Sequence, residues 1–260
     1  MRASNIKAIA FDFGNTLCPW DEEQYWQVTR TALSHMCARM PDKDVESVLE
    51  VFSQVRNEDS AQNLPRSLEN DLPGIYQKTA TEVCGRPLSS DDLSELVDTH
   101  VKAFVGVCHP PAGLREFLTR LSKKYRLALV SNYPISDAIR LSLVKLDIDK
   151  LFDPIIVSGD LGIIKPHRMI FDKLLADLDL PPEEVLFVGD DWVADIVGAS
   201  ASGLPCIQIR NGHMGNKLEG VFGTYIRRAV DRPEFAPWRN AKPLAVLESV
   251  LDLEGWLERA

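Results

Sequence analysis

Five short, almost wholly apolar runs, alternating with stretches of helical periodicity, constrain the fold of this 260-residue chain more than any other feature. The runs are Ala8 to Phe13, Arg126 to Val130, Pro154 to Val157, Val185 to Val188 and Cys206 to Ile209. The first stops at a Gly-Asn turn and reads as a buried strand. Between the others, Leu114, Phe117, Leu118 and Leu121 recur at helical spacing. Met169 to Leu178 reads as a second helix, and Asp191 to Ser202 as a third, built from small residues. Strands that are apolar throughout and alternate with helices predict an α/β protein with a parallel sheet covered on both faces. Leu244 to Leu247 reads as a last strand and Leu251 to Leu257 as a last helix.

One stretch breaks the alternation. From about Trp20 to about Val105 the chain is rich in Glu, Asp, Gln and Arg, with Val45, Val48, Leu49, Phe52 and then Leu93, Leu96, Val97, Val101 at helical spacing. This predicts a helical insertion over residues 20–105, between the first strand and the rest of a core made of 1–19 and 106–260. An insertion there sits over the carboxyl ends of the strands, where such sheets bind ligands, and is a candidate lid. Pro110 and Pro111 mark the expected return to the sheet. Asn211 to Lys242 is rich in Gly, Arg and Pro and is expected to be an irregular excursion, with a basic stretch at Arg227, Arg228, Arg232 and Arg239.

Composition narrows the function. The net charge of -9 argues against a nucleic-acid partner. No apolar run approaches the roughly 20 residues that span a bilayer, and the polar start lacks the apolar stretch of a signal peptide. Cys18, Cys37, Cys84, Cys108 and Cys206 are odd in number and scattered, which fits free thiols in a reducing cytoplasm. Nothing in the sequence sets the oligomeric state.

Polar residues gather where the predicted strands end. Phe11-Asp12-Phe13-Gly14-Asn15-Thr16 puts a carboxylate where backbone amides can converge on an anion, although a capping Asp reads equally well. Ser131 and Asn132 offer neutral donors for phosphate oxygens, or a helix cap. Lys165 lies in an apolar loop, Gly162-Ile163-Ile164-Lys165-Pro166, although most lysines are solvated. Asp190, Asp191 and Asp195 crowd after the fourth strand and would repel one another without a cation. Mg2+ suits such a cluster, whereas helix capping accounts comfortably for one of the three acids.

Taken together, Asp12, Ser131, Lys165 and the Asp190/Asp195 pair resemble the four ordered motifs of the haloacid dehalogenase-like superfamily of hydrolases. The resemblance covers roughly Ile6 to Ile209. It implies a Rossmann-like, doubly wound parallel sheet core with an inserted α-helical cap domain. It also implies an Mg2+-dependent phosphatase that acts on a small phosphorylated metabolite through an aspartyl phosphate on Asp12. In that scheme Lys165 neutralises charge, and Ser131, with Asn15 and Asn132, binds the phosphoryl group. Asp12, Asp190 and the carbonyl of Gly14 hold Mg2+, and Asp191 and Asp195 support the metal or orient Lys165.

One position departs from the pattern. The family's phosphatases usually carry a second Asp two residues after the nucleophile, and here that residue is Gly14. General acid-base catalysis contributes about 10²–10⁴-fold, so three readings stay open. The first is a phosphatase for substrates with good leaving groups, with Asp21, Glu22 or Glu23 as conceivable proton donors. The second is a dehalogenase, whose halide needs no proton. The third is a degenerate member that binds a phosphorylated ligand or a protein partner. His109, His167 and His213 are expected to be solvated, and His35 partly buried. Trp20, Tyr25 and Trp26 either line a substrate pocket or pack within the insertion.

Overall fold

In a computed structural model describing residues 5–40, 42–210 and 241–259, the apolar runs form one parallel sheet of six strands. These are β1 (Ala8–Phe11), β2 (Arg126–Ser131), β3 (Phe152–Val157), β4 (Val185–Gly189), β5 (Cys206–Ile209) and β6 (Ala245–Leu247). Their order across the sheet is β3-β2-β1-β4-β5-β6. The chain builds outward from β1 through β2 to β3, then crosses back to place β4 on the other side of β1. Such a reversal leaves a crevice beyond the carboxyl ends of β1 and β4, the usual ligand site of an open α/β sheet.

Alternation along the strands divides the core. Ile9, Phe11, Leu127, Leu129, Leu186 and Val188 point to one face. They pack with α5 (Leu114–Leu121), α6 (Ser136–Lys145) and the C-terminal helix α10 (Leu253–Leu257). Ala8, Ala10, Ala128, Val130 and Phe187 point the other way, against α8 (Arg168–Leu178) and α9 (Gly198–Ala201). A short helix, α7 (Ser158–Leu161), follows β3 directly.

The polar stretch after β1 forms four helices: α1 (Glu22–Cys37), α2 (Val45–Asn63), α3 (Leu72–Cys84) and α4 (Ser90–Val107). Each starts at a side-chain cap, from Asp21, Asp44, Asp71 and Ser89 respectively, which satisfies amides that a helix start leaves unpaired. Their apolar faces meet one another through Val28, Leu33, Phe52, Tyr76, Leu96 and Phe104, and that core runs without a break into the first face of the sheet. The last carbonyls of α4 are taken by both neighbours. Gln24 Nε2 donates to Val107 O at 2.9 Å, and Lys145 Nζ to Val105 O at 2.6 Å.

The structure differs from the sequence expectation after β4. In place of a regular helix over Asp191 to Ser202, a wide helical turn spans Trp192–Val197, followed by the short α9. The Ile196 amide donates five residues back, to Asp191 O, at 3.2 Å. Such widened turns recur at functional sites, and this one carries Asp195. Most of the basic, Gly-rich excursion, with its four arginines and His213, lies outside the described residues.

Candidate active site

The strand ends bring one cation and a crowd of carboxylates together. Asp12 leaves β1 with its amide donating to Val188 O of β4 at 2.9 Å, which fixes it at the crevice. Lys165 reaches in from the loop after α7, fully buried. Its Nζ donates to Asp12 Oδ1 at 2.8 Å, Asp195 Oδ1 at 2.7 Å and the Val130 carbonyl at 2.8 Å. All three ammonium protons therefore have acceptors. Burial disfavours the charged form of this amine, but the Asp12 and Asp195 carboxylates outweigh it and hold Lys165 above its ordinary pKa.

Asp12, Asp190 and Asp195 present oxygens that all lie within 4.8 Å of one another. Burial, reinforced by the charges of Asp12, Asp195 and Asp191, pushes Asp190 well above the carboxylate range. Asp195 is pushed up to about 7, by burial first, with Lys165 pulling the other way. Among the described residues, Lys165 is the one cation that ion-pairs with this group. The donors are all hard oxygens, and negative charge exceeds positive, which fits a divalent cation. Both oxygens of Asp195 already accept hydrogen bonds. Its Oδ1 holds Lys165, and its Oδ2 accepts from Asp191 N at 3.0 Å. Four residues after Asp12, the Thr16 hydroxyl is buried and has no hydrogen-bond partner among the described residues.

The remaining sequence candidates sort by what they touch. Asn132 clamps the backbone of Lys165, its Oδ1 accepting from Lys165 N at 2.8 Å and its Nδ2 donating to Lys165 O at 3.0 Å. Ser131 is buried at the carboxyl end of β2. Asn15 takes a positive φ of 55° and its Oδ1 accepts from Trp20 N at 2.8 Å, so it folds the loop after Asp12. Asp191 caps the wide turn, its Oδ1 accepting from Val193 N at 2.8 Å and Ala194 N at 2.7 Å. The conceivable proton donors lie at the start of the insertion. Asp21 is the α1 cap, bonded by Gln24 N at 2.9 Å, and Glu22 and Glu23 are exposed in the first turn of that helix. His167 caps α8 and His109 is exposed, so neither joins the cluster.

Two glycines near the carboxylates behave differently. A Cβ on Gly189 would lie 2.3 Å from the Asp195 carboxyl, so only glycine lets the strand and that side chain approach. A Cβ on Gly14 would meet only Trp20 Cβ, at 3.7 Å. Backbone geometry therefore does not impose the glycine that replaces the family's second Asp. Gln208, the one polar residue of β5, donates to the carbonyl of Asp190 at 3.2 Å. A polar side chain in an otherwise apolar strand was the signal that could have found it. A groove of about 850 Å³ lies on the insertion between α1 and α2, lined by Trp26, Leu49 and Ala61 among others, and no site residue borders it.

A parallel α/β sheet with a strand-end aspartate, a buried lysine and an acid cluster at the switch point defines a hydrolase built for anionic groups. The family profile for haloacid dehalogenase-like hydrolase matches residues 6–203, and the chain belongs to that family. It is 36% identical over 209 residues to glyceraldehyde 3-phosphate phosphatase of Methanopyrus kandleri, covering 80% of this chain and 85% of that one. The match to the enzyme of the same name in Pyrococcus furiosus is 32% identical over 102 residues, and spans only 38% of this chain and 42% of that protein. Among solved structures, 2-haloacid dehalogenase from Pseudomonas syringae pv. tomato DC3000 superposes with a TM-score of 0.68 at 19% identity, over 98% of this chain and 99% of that one. At that identity the likeness extends to the fold alone.

Proposed function

We propose that the protein is an Mg2+-dependent phosphatase of small phosphorylated metabolites, with Asp12 as nucleophile. The observation that carries the reading is the buried Lys165 ammonium, held between Asp12 and Asp195 beside an acid cluster that lacks charge balance. A phosphate dianion repels an attacking carboxylate, so positive charge must be fixed in place before reaction. Asp12 Oδ1 is bonded to Lys165; its other oxygen attacks phosphorus as the bond from phosphorus to the leaving-group oxygen breaks, and water then hydrolyses the aspartyl phosphate, releasing inorganic phosphate and restoring the Asp12 carboxylate. Lys165 lowers the charge on the transferring group, and Ser131 at the end of β2 donates to it. Asn132 acts through its grip on the Lys165 backbone. Asn15 shapes the loop that receives the phosphate oxygens. Asp12, Asp190 and the Gly14 carbonyl would hold Mg2+, which when bound supplies charge neutralisation. Asp195 orients Lys165, and Asp191 supports the turn that presents Asp195.

The four helices over residues 20–105 serve as the cap, seated on the sheet through the continuous core. With Gly14 in place of an acid, the enzyme favours substrates whose leaving group departs without a strong proton donor, such as acyl, aryl or anomeric phosphates. The phosphatase names of the relatives from Methanopyrus kandleri and Pyrococcus furiosus support the reaction class. The dehalogenase reading has the fold and the lack of an acid at Gly14 in its favour, but leaves the Asp190, Asp191 and Asp195 cluster without a role. Five free cysteines, together with the lack of a helix long and apolar enough to cross a membrane among the described residues, support a cytoplasmic setting.

The deciding experiment is a phosphatase screen over sugar, nucleotide, acyl and aryl phosphates, with and without Mg2+, using Asp12→Asn as the blank. Mg2+-dependent phosphate release in the wild type alone is expected. Equal release by Asp12→Asn contradicts the reading, and halide release in the presence of EDTA would favour the dehalogenase.

A further inference from the structure

The loop that delivers Lys165 is gripped from two sides. Asn132 holds it from the sheet, as described. The second grip comes from the helical insertion, from the short connection between α2 and α3. Leu68 and Ile163 pair as an antiparallel bridge. Glu69 N donates to Gly162 O at 3.0 Å, and Ile164 N donates to Ser67 O at 3.0 Å. The residue next in line after Ile164 is Lys165 itself.

Glu69 adds a side-chain contact to this pairing. Its Oε2 is hydrogen-bonded to the hydroxyl of Ser158, which is fully buried at the end of β3. That hydroxyl also accepts from Tyr133 N at 2.7 Å, and Tyr133 directly follows Asn132. The other Glu69 oxygen accepts from Asn70 N at 2.9 Å. Dense packing pushes the Glu69 carboxyl above its ordinary range, only partly offset by those two bonds. Ser158 donates to Glu69 Oε2, with the Tyr133 carbonyl 3.3 Å away as its alternative acceptor. One carboxyl of the insertion is thus wired, through Ser158 and the Tyr133 backbone, to the same segment that clamps Lys165.

We propose that Glu69 is a positioning residue that couples seating of the helical insertion to placement of the Lys165 ammonium. With residues 67–69 docked, the Gly162–Lys165 loop is held on both sides and Lys165 can reach Asp12 and Asp195 together. With the insertion lifted away, only the Asn132 grip remains, and the charge needed for phosphoryl transfer is no longer fixed. The placement of Lys165 stands on the structure itself. Only the kinetic consequence rests on the phosphatase reading.

The test uses the full-length protein labelled with ¹⁵N-lysine. A buried ammonium with three acceptors exchanges its protons slowly, and its signal is assigned by its loss in Lys165→Arg. Glu69→Ala is expected to erase that signal or speed its exchange about tenfold, while Glu69→Gln, whose amide oxygen can still accept from Ser158, keeps it. In the phosphatase assay Glu69→Ala is expected to lower kcat about 10-fold to 100-fold with a much smaller change in KM, as for a misplaced catalytic group. Glu69→Gln restores most of that loss. If Glu69→Ala does not fold, Ser158→Ala interrupts the same connection and carries the same expectation. A folded Glu69→Ala protein with lower stability but an unmoved Lys165 signal would overturn the proposal. That result is separate from failure of the phosphatase reading, which shows as equal turnover by Asp12→Asn.

Discussion

Replacing Gly189 with alanine is a one-carbon change whose effect can be worked out from the site. The added Cβ would lie 2.3 Å from Asp195 Cγ and Oδ2 and 2.5 Å from Asp195 Cβ. Non-bonded carbon contacts settle near 3.5–4 Å, so the Asp195 side chain or β4 must retreat by about 1 Å or more. Asp195 Oδ1 is 2.7 Å from Lys165 Nζ, and its Oδ2 is 3.0 Å from Asp191 N. A retreat of that size breaks at least the first bond. Overpacking of this kind costs about 1–3 kcal/mol, and a hydrogen bond to a charged group is worth about 1.5–3 kcal/mol. The expected loss of stability is therefore about 2.5–6 kcal/mol, measured by urea unfolding. Lys165 would keep Asp12 but lose its second anchor, and a displacement near 1 Å predicts a fall in kcat of about 100-fold. Gly14→Ala is the matched control. Its Cβ meets only Trp20 Cβ at 3.7 Å, and a change within about 0.5 kcal/mol is expected. If Gly189→Ala matches the wild type in both stability and turnover, then Asp195 is not held where the structure places it, and the account of Lys165 fails with it.

Three further outcomes follow from other groups. Asp190→Asn removes a carboxyl whose ionisation the Asp12, Asp190 and Asp195 cluster already disfavours; it should leave the metal-free protein at least as stable as the wild type and abolish the stabilisation by millimolar Mg2+ expected of the wild type, which a thermal melt with and without EDTA checks. Putting an Asp at Gly14, where the first side-chain atom has room, should speed hydrolysis of alkyl phosphates by about 10²–10⁴-fold while barely changing aryl phosphates; equal effects on both classes would mean that leaving-group protonation does not limit the rate. His100 bonds Tyr76 Oη through Nδ1 at 2.8 Å and Tyr133 Oη through Nε2 at 2.7 Å, and burial pushes it down from its ordinary 6.5 to about 4. A base depressed in the folded state stays neutral there while the unfolded chain takes up a proton, so stability is lost as pH falls from about 6.5 towards 4. That interval is worth about 3 kcal/mol; the stability gap between the wild type and His100→Asn should shrink by about that amount from pH 7 to pH 4, and a constant gap would refute it.

The parts of this molecule legible in the sequence share one property: their signal is local. Val185 to Val188 reads as a buried strand because every residue in it is apolar, and β4 extends it by one residue, to Gly189. Asp12 and Lys165 draw attention as charged residues beside apolar runs, and the fold brings them to 2.8 Å. Gln208 carried the same kind of local signal, a lone amide in an apolar strand, and was missed. Asp191 and Asp195 look equivalent in sequence, yet the wide turn gives one the amides of Val193 and Ala194 and the other the Lys165 ammonium. Periodicity cannot separate them, because the wide turn, in which Ile196 N reaches back to Asp191 O, departs from the regular helix that the pattern predicts.

The contact between Glu69 and Ser158 had no local signal at all. The two residues are 89 positions apart, one in a polar connection between helices and the other behind an apolar strand. Neither stands out from the solvated residues around it until the insertion lies on the sheet. Core residues are specified by composition and period, so their positions survive many substitutions. A bond between an insertion and the loop it covers is specified only by the docked geometry. The meeting of Asp12 and Lys165 could therefore be anticipated from the chain, whereas the contact proposed to set when Lys165 is in place could not. In a site whose rate depends on fixed charge, the second is as much a part of catalysis as the first.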